Sequence, residues 1–243
     1  MMVQSNKVIM PVMMQWDYGL KERGESDNQK TFLKAFQELC QKVVPFWYDT
    51  YLDDIPLLQS KLLEQAEAVK PDLIIIFPYT DQFQIDTLKK LKEAHTTAIW
   101  FGDDCFRFED HSRPLAPFFT HVITTDQFII PKYRAMGIEP LLSEWAGPTP
   151  DSWTPPPPVG ASFPYDVTFV GGANEVRRWF IRHLKKSGIP VTCFGTGWPE
   201  GRVSFEKMAE IMRNTRINLN LSNSVSQDIR YVWVLKLALS NPN

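Results

Sequence analysis

The stretch PDLIIIFPYTDQFQIDTLKKLKEAHTTAIWFGDD, residues 71–104, decides the fold class of this sequence. An apolar run of strand length, residues 72–77, is followed by a segment with helical spacing, residues 83–94, and by a second apolar run, residues 97–101. Strand, crossover helix and strand are the parts of a βαβ unit, whose strands pair in parallel. The stretch therefore predicts a parallel α/β sheet.

The same alternation extends in both directions through the first half of the chain. Apolar residues at i, i+3, i+4 and i+7 predict a helix over residues 28–42, and a similar pattern predicts one over 57–69. The further predicted strands are residues 7–14, 44–48, 121–124 and 141–145. Together these segments predict a doubly wound, Rossmann-like sheet.

The alternation starts again after a proline-rich segment. Residues 146–164, AGPTPDSWTPPPPVGASFP, contain seven prolines, which can neither continue a helix nor join a central strand. We predict an N-terminal domain over 1–147, a linker over 148–164 and a C-terminal domain over 165–243. A proline-rich surface loop within one domain is the alternative.

The predicted C-terminal domain contains one βαβαβ half-unit. Its strands are residues 165–170, 191–194 and 217–221, and its helices are residues 175–186 and 205–214. Residues 222–243 show no further alternation, so we expect this second domain to be incomplete.

Composition excludes several classes of protein. The formal net charge is -2, which gives no overall attraction to nucleic acid or anionic lipid. The longest apolar runs are of strand length, so no membrane span is expected. The three cysteines lack the spacing of a zinc site or a disulfide framework, which favours a cytoplasmic protein without a metal site.

Two glycine-rich turns follow predicted strands of the second half. In YDVTFVGGANEVRRWF, Gly171 and Gly172 lie between a strand and a helix that carries Arg177, an arrangement that suits a diphosphate. A tight turn with arginines on a solvated helix face is the alternative. In TCFGTGWPEGR, Gly195 and Gly197 either leave room for a ligand or form a structural turn.

Carboxylates follow predicted strands of the first half. Asp103 and Asp104 end the strand TAIWF and could activate or bind an acceptor hydroxyl. Alternatively, Asp104 caps a turn and Asp103 is solvated. Thr125 and Asp126 follow another strand and are typical helix N-cap residues, with ligand binding as the alternative.

Taken together, these motifs resemble the CgeB-like family of glycosyltransferases. The resemblance covers nearly all of the chain and is more specific than any single motif. The segments that carry it are PDLIIIF, AIWFGDDCFRFE, HVITTDQFIIPKYRAMGI, LLSEWAGP, YDVTFVGG with Arg177, VTCFGTGW, and RINLNLS with Arg216.

The resemblance implies a GT-B glycosyltransferase with two Rossmann-like domains and no cofactor or catalytic metal. The second domain would bind a nucleotide-sugar donor, and the first would bind an unknown hydroxyl acceptor. The implied donor residues are Gly171, Gly172, Arg177, Gly195, Gly197 and Arg216. The implied catalytic residues are Asp103 and Asp104, and the implied acceptor residues are Asp17, Thr125 and Asp126.

One departure from the family pattern lies near the end of the sequence. Members of the family continue after the LNLS-like strand into a KGR-type segment and a Phe-Glu pair, whereas this chain has NSVSQDIRYVWVLKLALSNPN. A truncated, non-catalytic binding protein, which would be a homo-oligomer or require a completing partner chain, is therefore the second hypothesis. A Rossmann oxidoreductase or epimerase is the third, but MQWDYG replaces GxGxxG in the first βα turn.

Overall fold

The computed structural model describes residues 4–145 and 162–221. The chain divides into two compact units, Met1–Pro148 and Thr149–Asn243. Most of the predicted linker and the whole tail after residue 221 lie outside the described residues. The expectations of an incomplete second domain and of a homo-oligomer or a completing partner chain therefore stay predictions.

A parallel sheet forms the centre of the first unit. Its strand order is β2-β1-β4-β5-β6-β7, and β3 pairs with β1 beyond the end of β2. Every strand pair in the sheet is parallel. The strands are β1 (Ser5–Met13), β2 (Cys40–Val43), β3 (Phe46–Trp47), β4 (Leu73–Ile76), β5 (Thr97–Phe101), β6 (His121–Thr124) and β7 (Leu141–Leu142).

Helical segments cover both faces of this sheet. One face packs against α2 and α3 through Leu62 and Leu88, and the other packs against Leu33. The α-helices are α1 (Lys34–Leu39), α2 (Ile55–Val69), α3 (Ile85–Ala94), α4 (Asp104–Arg107), α5 (Arg113–Leu115) and α6 (Ile130–Ala135). Short 3₁₀ segments are Asp17–Gly19, Lys21–Arg23, Tyr48–Tyr51 and Ala116–Phe118, and π-helical turns are Gln29–Leu33 and Phe108–Ser112.

The helix predicted over residues 28–42 ends earlier than its periodicity suggests. Residues 40–43 form β2 instead, which pairs with β1 through Ile9 and Val43. Cys40 is buried against the sheet, so tertiary packing overrides the helical spacing. The strand predicted over 44–48 is accordingly reduced to Phe46–Trp47.

The second unit repeats this architecture on a smaller scale. Among its described residues, three parallel strands lie in the order β10-β8-β9. Phe169 and Val191 on the sheet pack with Ile181 of the first helix. The elements are β8 (Tyr165–Val170), α7 (Glu175–Lys186), β9 (Val191–Phe194), α8 (Phe205–Arg213) and β10 (Thr215–Leu219).

Both sheets contain a point at which the strand order reverses. In the first unit it lies between β1 and β4, and in the second between β8 and β10. Ligands of open α/β sheets bind at the carboxyl ends of the strands beside such a point. The predicted parallel α/β, Rossmann-like class is confirmed, and the fold directs attention to these two edges.

None of the helices in the described part of the chain is both long and apolar enough to cross a membrane.

Candidate functional site

The predicted glycine turns of the second unit pack directly against each other. Gly195 has a φ of +128°, and a β-carbon there would lie 2.3 Å from the carbonyl oxygen of Gly171. The amide of Gly171 donates to the carbonyl of Phe194 at 2.8 Å. Only glycine permits this approach, so the structural interpretation of Gly195 is correct whether or not the turn also binds a ligand.

Two side chains fasten the same turns together. The indole Nε1 of Trp198 donates to the carbonyl of Gly171 at 2.9 Å, and Nη2 of Arg178 donates to the carbonyl of Gly197 at 2.8 Å. The guanidinium of Arg178 also lies over the Trp198 ring. These contacts make the carboxyl edge of the sheet a rigid backbone surface.

Arg177 bridges the two loops on either side of the strand-order reversal. Its Nη1 donates to the carbonyl of Gly172 at 2.7 Å, and its Nε and Nη2 donate to the carbonyl of Leu221 at 3.2 and 2.8 Å. The guanidinium also lies 5.1 Å from the centre of the Phe169 ring. Burial lowers the pKa of Arg177, which nevertheless stays charged.

Gly172 is the open position of the turn. A β-carbon built on it meets nothing within 4 Å, and its amide donates to no group among the described residues. Because helix α7 starts three residues later, with Asn174 accepting from the amide of Arg177 at 2.9 Å, this turn presents backbone to solvent at a helix N-terminus.

Arg216 does not share this edge. It is the second residue of β10, which starts opposite Tyr165 at the amino end of β8. The glycine turns lie at the carboxyl end, roughly 15 Å away at about 3.3 Å per residue. The proposal that Arg216 joins Arg177 at a donor site is therefore corrected by the strand register.

In the first unit, Asp104 is buried with only 1% of its surface exposed. Its Oδ2 accepts hydrogen bonds from Thr124 at 2.5 Å and from Tyr133 at 3.0 Å. Burial raises the pKa of Asp104, and hydrogen bonds from hydroxyl groups oppose that rise. Asp104 therefore links the end of β5 to β6 and α6 inside the unit. No local sequence signal indicated that Tyr133 takes part in this link.

Asp103, in contrast, is exposed at the end of β5 and precedes α4. Next to it, Gly102 is enclosed by two indoles, since a β-carbon there would lie 2.4 Å from Trp145 and 2.7 Å from Trp100. The Nε1 of Trp145 donates to the carbonyl of Gly102 at 3.3 Å. Of the two adjacent carboxylates, Asp103 is the one that a ligand can reach.

Thr125 and Asp126 make local bonds that order the turn after β6. Thr125 donates to the carbonyl of Gly102 at 3.0 Å, and Asp126 accepts from the amide of Phe128 at 2.8 Å. Helix α6 begins only at Ile130. Asp126 therefore caps a turn that precedes the helix and does not cap the helix itself. The side chains of Thr125 and Asp126 both lie at the carboxyl edge of the sheet.

Asp17 is half-buried in the 3₁₀ turn that follows β1. The residue that holds this turn is Asp49, whose carboxylate accepts from the amides of Gln15 at 2.9 Å and Trp16 at 3.0 Å. Sequence reasoning missed Asp49 because its partners lie more than thirty positions away.

Comparison with known protein families finds one family whose sequence profile matches part of this chain. The profile of the glycosyl transferase-like family matches residues 177–234, about a quarter of the chain. The match begins at Arg177, the residue that bridges the switch point of the second unit. The chain therefore contains a glycosyl transferase-like segment. No protein of curated function matches the sequence significantly.

Three solved structures have a similar fold. UDP-N-acetylglucosamine 2-epimerase from Rickettsia bellii is 11% identical, with a TM-score of 0.48 over 90% of this chain and 70% of its own. The spinosyn rhamnosyltransferase SpnG, complexed with thymidine diphosphate, is 8% identical, with a TM-score of 0.38 over 81% and 70%. The glycosyltransferase SnogD from Streptomyces nogalater is 13% identical, with a TM-score of 0.38 over 88% and 74%. Similarities this low carry no argument about function.

Proposed function

We propose that this chain is a GT-B glycosyltransferase of the CgeB-like type, which transfers a sugar from a nucleotide-sugar donor to a hydroxyl acceptor. The observation that carries the proposal is that the glycosyl transferase-like match over residues 177–234 includes Arg177, which lies in the first turn of α7 and bonds the loops beside the switch point of the second sheet. The match and the topology both support a donor site in the second unit.

The donor diphosphate would lie against the Gly172 turn. The amide of Gly172 has no partner among the described residues, and Arg177 uses three of its five N–H groups on backbone carbonyls. A backbone amide and a fixed cation at a helix N-terminus stabilise the charge that develops on a departing diphosphate. In this proposal no cofactor or metal is needed, because these groups supply the positive charge.

On the acceptor side we assign the reactive carboxylate to Asp103. It is exposed beyond β5, whereas Asp104 is enclosed by Thr124 and Tyr133. The acceptor hydroxyl would give its proton to Asp103 as its oxygen bonds to the anomeric carbon and the bond to the diphosphate breaks. Asp104 would then be a positioning residue for the loop.

A thermal-shift series with the full chain tests the donor proposal. A ligand that binds only the folded state at a hundred times its Kd stabilises that state by about 2.7 kcal/mol. We expect UDP, GDP or dTDP, or one of their sugars, to raise Tm, while the matching nucleosides do not. A rise with nucleotide-sugar hydrolysis supports transfer, a rise without hydrolysis favours the non-catalytic hypothesis, and no rise contradicts the proposal.

We also place the protein in a reducing compartment such as the cytoplasm. Cys40, Cys105 and Cys193 are free, and Cys105 is exposed. A persistent free thiol at the surface suits a reducing environment. Thiol labelling in intact cells tests this, and an oxidised Cys105 would argue against it.

A further inference from the structure

Exposed aromatic side chains follow five strands of the first sheet at its carboxyl edge. Phe128 is 78% exposed, Phe106 64% and Trp145 59%. At the strand-order reversal, the rings of Tyr18 and Tyr79 contact edge to face with centres 5.7 Å apart. We call this set the aromatic rim: Tyr18, Tyr79, Phe106, Phe128 and Trp145.

A small cavity of about 30 Å³ opens within the same edge. His111 lines it and is only 6% exposed, yet neither ring nitrogen has a hydrogen-bond partner among the described residues. Its Nδ1 lies 3.7 Å from a carboxylate oxygen of Asp81. An unpaired buried polar group costs about 1–3 kcal/mol, so a ligand hydroxyl that pairs with His111 would relieve this cost.

Two carboxylates and one guanidinium among the described residues act on His111, so the local charge disfavours anionic ligands. The carboxylates of Asp81 and Asp103 face His111 from the loops after β4 and β5. One cation, Arg107, also faces it, and its Nη1 donates to the carbonyl of Tyr79 at 3.1 Å. Burial and then the charge of Arg107 lower the pKa of His111, so the imidazole is neutral near pH 7 and can accept a hydrogen bond from a hydroxyl group.

We propose that this edge binds an uncharged carbohydrate ring as the acceptor, with one hydroxyl in the His111 cavity and its C–H face on the aromatic rim. Carboxylates only accept hydrogen bonds, so they suit hydroxyl donors and repel acidic sugars. Aromatic rings provide the apolar surface. The inference rests on the proposed function, since it names the acceptor class of that reaction.

Saturation-transfer NMR on the full chain tests the ligand class. The probes are lactose, cellobiose and maltose at millimolar concentration, with glucuronate as the anionic comparison and p-nitrophenol as an aromatic one without a sugar. We expect transfer to at least one neutral disaccharide and none to glucuronate. Absence of transfer to every disaccharide, or equal transfer to glucuronate or p-nitrophenol, would overturn the inference.

Matched variants locate the binding. His111→Leu should weaken disaccharide binding about three- to tenfold, the value of one hydrogen bond. His121→Leu is the control, because His121 is exposed at the amino end of β6, away from the cavity. Loss in both variants, or in neither, contradicts the site.

A second pair covers the case in which His111→Leu does not fold. Phe128→Ala removes an exposed ring of the aromatic rim, and Phe180→Ala removes an exposed ring from α7. Only Phe128→Ala should weaken disaccharide binding, by a few-fold. If Phe180→Ala weakens it equally, the aromatic rim is not the binding surface.

Nucleotide binding separates this inference from the proposed function. If nucleotides stabilise the chain but no disaccharide binds, the proposed function stands and the inference is wrong. If disaccharides bind through His111 but no nucleotide binds, the disaccharide site stands and the proposed donor is wrong.

Discussion

The guanidinium of Arg177 holds the carbonyl oxygen of Leu221 by two hydrogen bonds, from Nη2 at 2.8 Å and from Nε at 3.2 Å. A third bond, to the carbonyl of Gly172, fixes the turn after β8 to the end of β10. Sequence reasoning assigned Arg177 to the donor phosphates. In the structure its side chain holds together the two loops between which those phosphates would bind.

Arg177→Lys should therefore destabilise the chain even without ligand. A lysine ammonium cannot reproduce the planar fork, and we expect a loss of about 1–3 kcal/mol. Urea unfolding measures it, with Arg182→Lys as the control, because among the described residues Arg182 makes only a hydrogen bond of 3.4 Å, to the carbonyl of Arg178 in its own helix. If Arg177→Lys reduces nucleotide binding without changing stability, Arg177 contacts the ligand and does not hold the loops.

Gly172→Ala should leave stability nearly unchanged and weaken nucleotide binding. A β-carbon at Gly172 meets nothing within 4 Å, so the free energy of unfolding should change by less than about 0.5 kcal/mol. The added methyl group would stand where a phosphate must approach the backbone, and nucleotide affinity should fall about tenfold or more. Calorimetric titration measures this, and unchanged affinity would remove Gly172 from the donor site.

Gly195→Ala tests the packing of the two glycine turns. The new methyl group would lie 2.3 Å from a carbonyl oxygen at a φ of +128°, so we expect a loss of about 2–4 kcal/mol. Gly188→Ala is the control, because its φ is +81° and a β-carbon there is unobstructed. Its loss should be only about 1 kcal/mol. Equal losses would mean that backbone conformation alone, and not the contact with Gly171, makes Gly195 necessary.

The regular part of the fold could be predicted because its signals are local. Strands Thr97–Phe101 and Tyr165–Val170 are apolar runs between polar or glycine-rich turns, and helix Glu175–Lys186 starts with a capping Asn174. The end of α1 could not be predicted, because the strand that starts at Cys40 depends on pairing with β1.

The sequence predicted the candidate site only as a set of positions that follow the ends of strands. That rule selected Asp103 and Gly172, whose roles stay predictions, and it could not separate Asp103 from Asp104, which bonds to Tyr133, twenty-nine positions later. His111 was missed because no local pattern distinguishes a buried imidazole from a surface one. Arg216 was assigned to the donor site by the family resemblance, and its place at the amino end of β10 depends on the register of that strand with β8.

Asp104→Ala should destabilise the first unit. It would leave the hydroxyls of Thr124 and Tyr133 buried without an acceptor, at a cost of about 1–3 kcal/mol each. Tyr133→Phe, which removes one donor and keeps the ring, should cost less. Both are measured by urea unfolding. If Asp104→Ala is as stable as the original chain but loses transfer activity, Asp104 is a catalytic residue and the positioning role is wrong.

Acidification should destabilise the first unit through His111. Its pKa is lowered in the folded state by burial and by Arg107, from about 6.5 in the unfolded chain. Below that pH the unfolded state binds more protons, so stability falls as pH decreases and is unaffected above it.

Urea unfolding between about pH 7 and pH 5 measures this effect, because a carboxyl with a lowered pKa, such as Glu109, titrates below that range, while Asp104, whose pKa burial raises, contributes equally to the original chain and to its variants at His111. His111→Gln should flatten the dependence, whereas His121→Gln, at an exposed position, should not. A slope that persists in His111→Gln would show that other groups cause it, and that the imidazole is not held neutral by its burial.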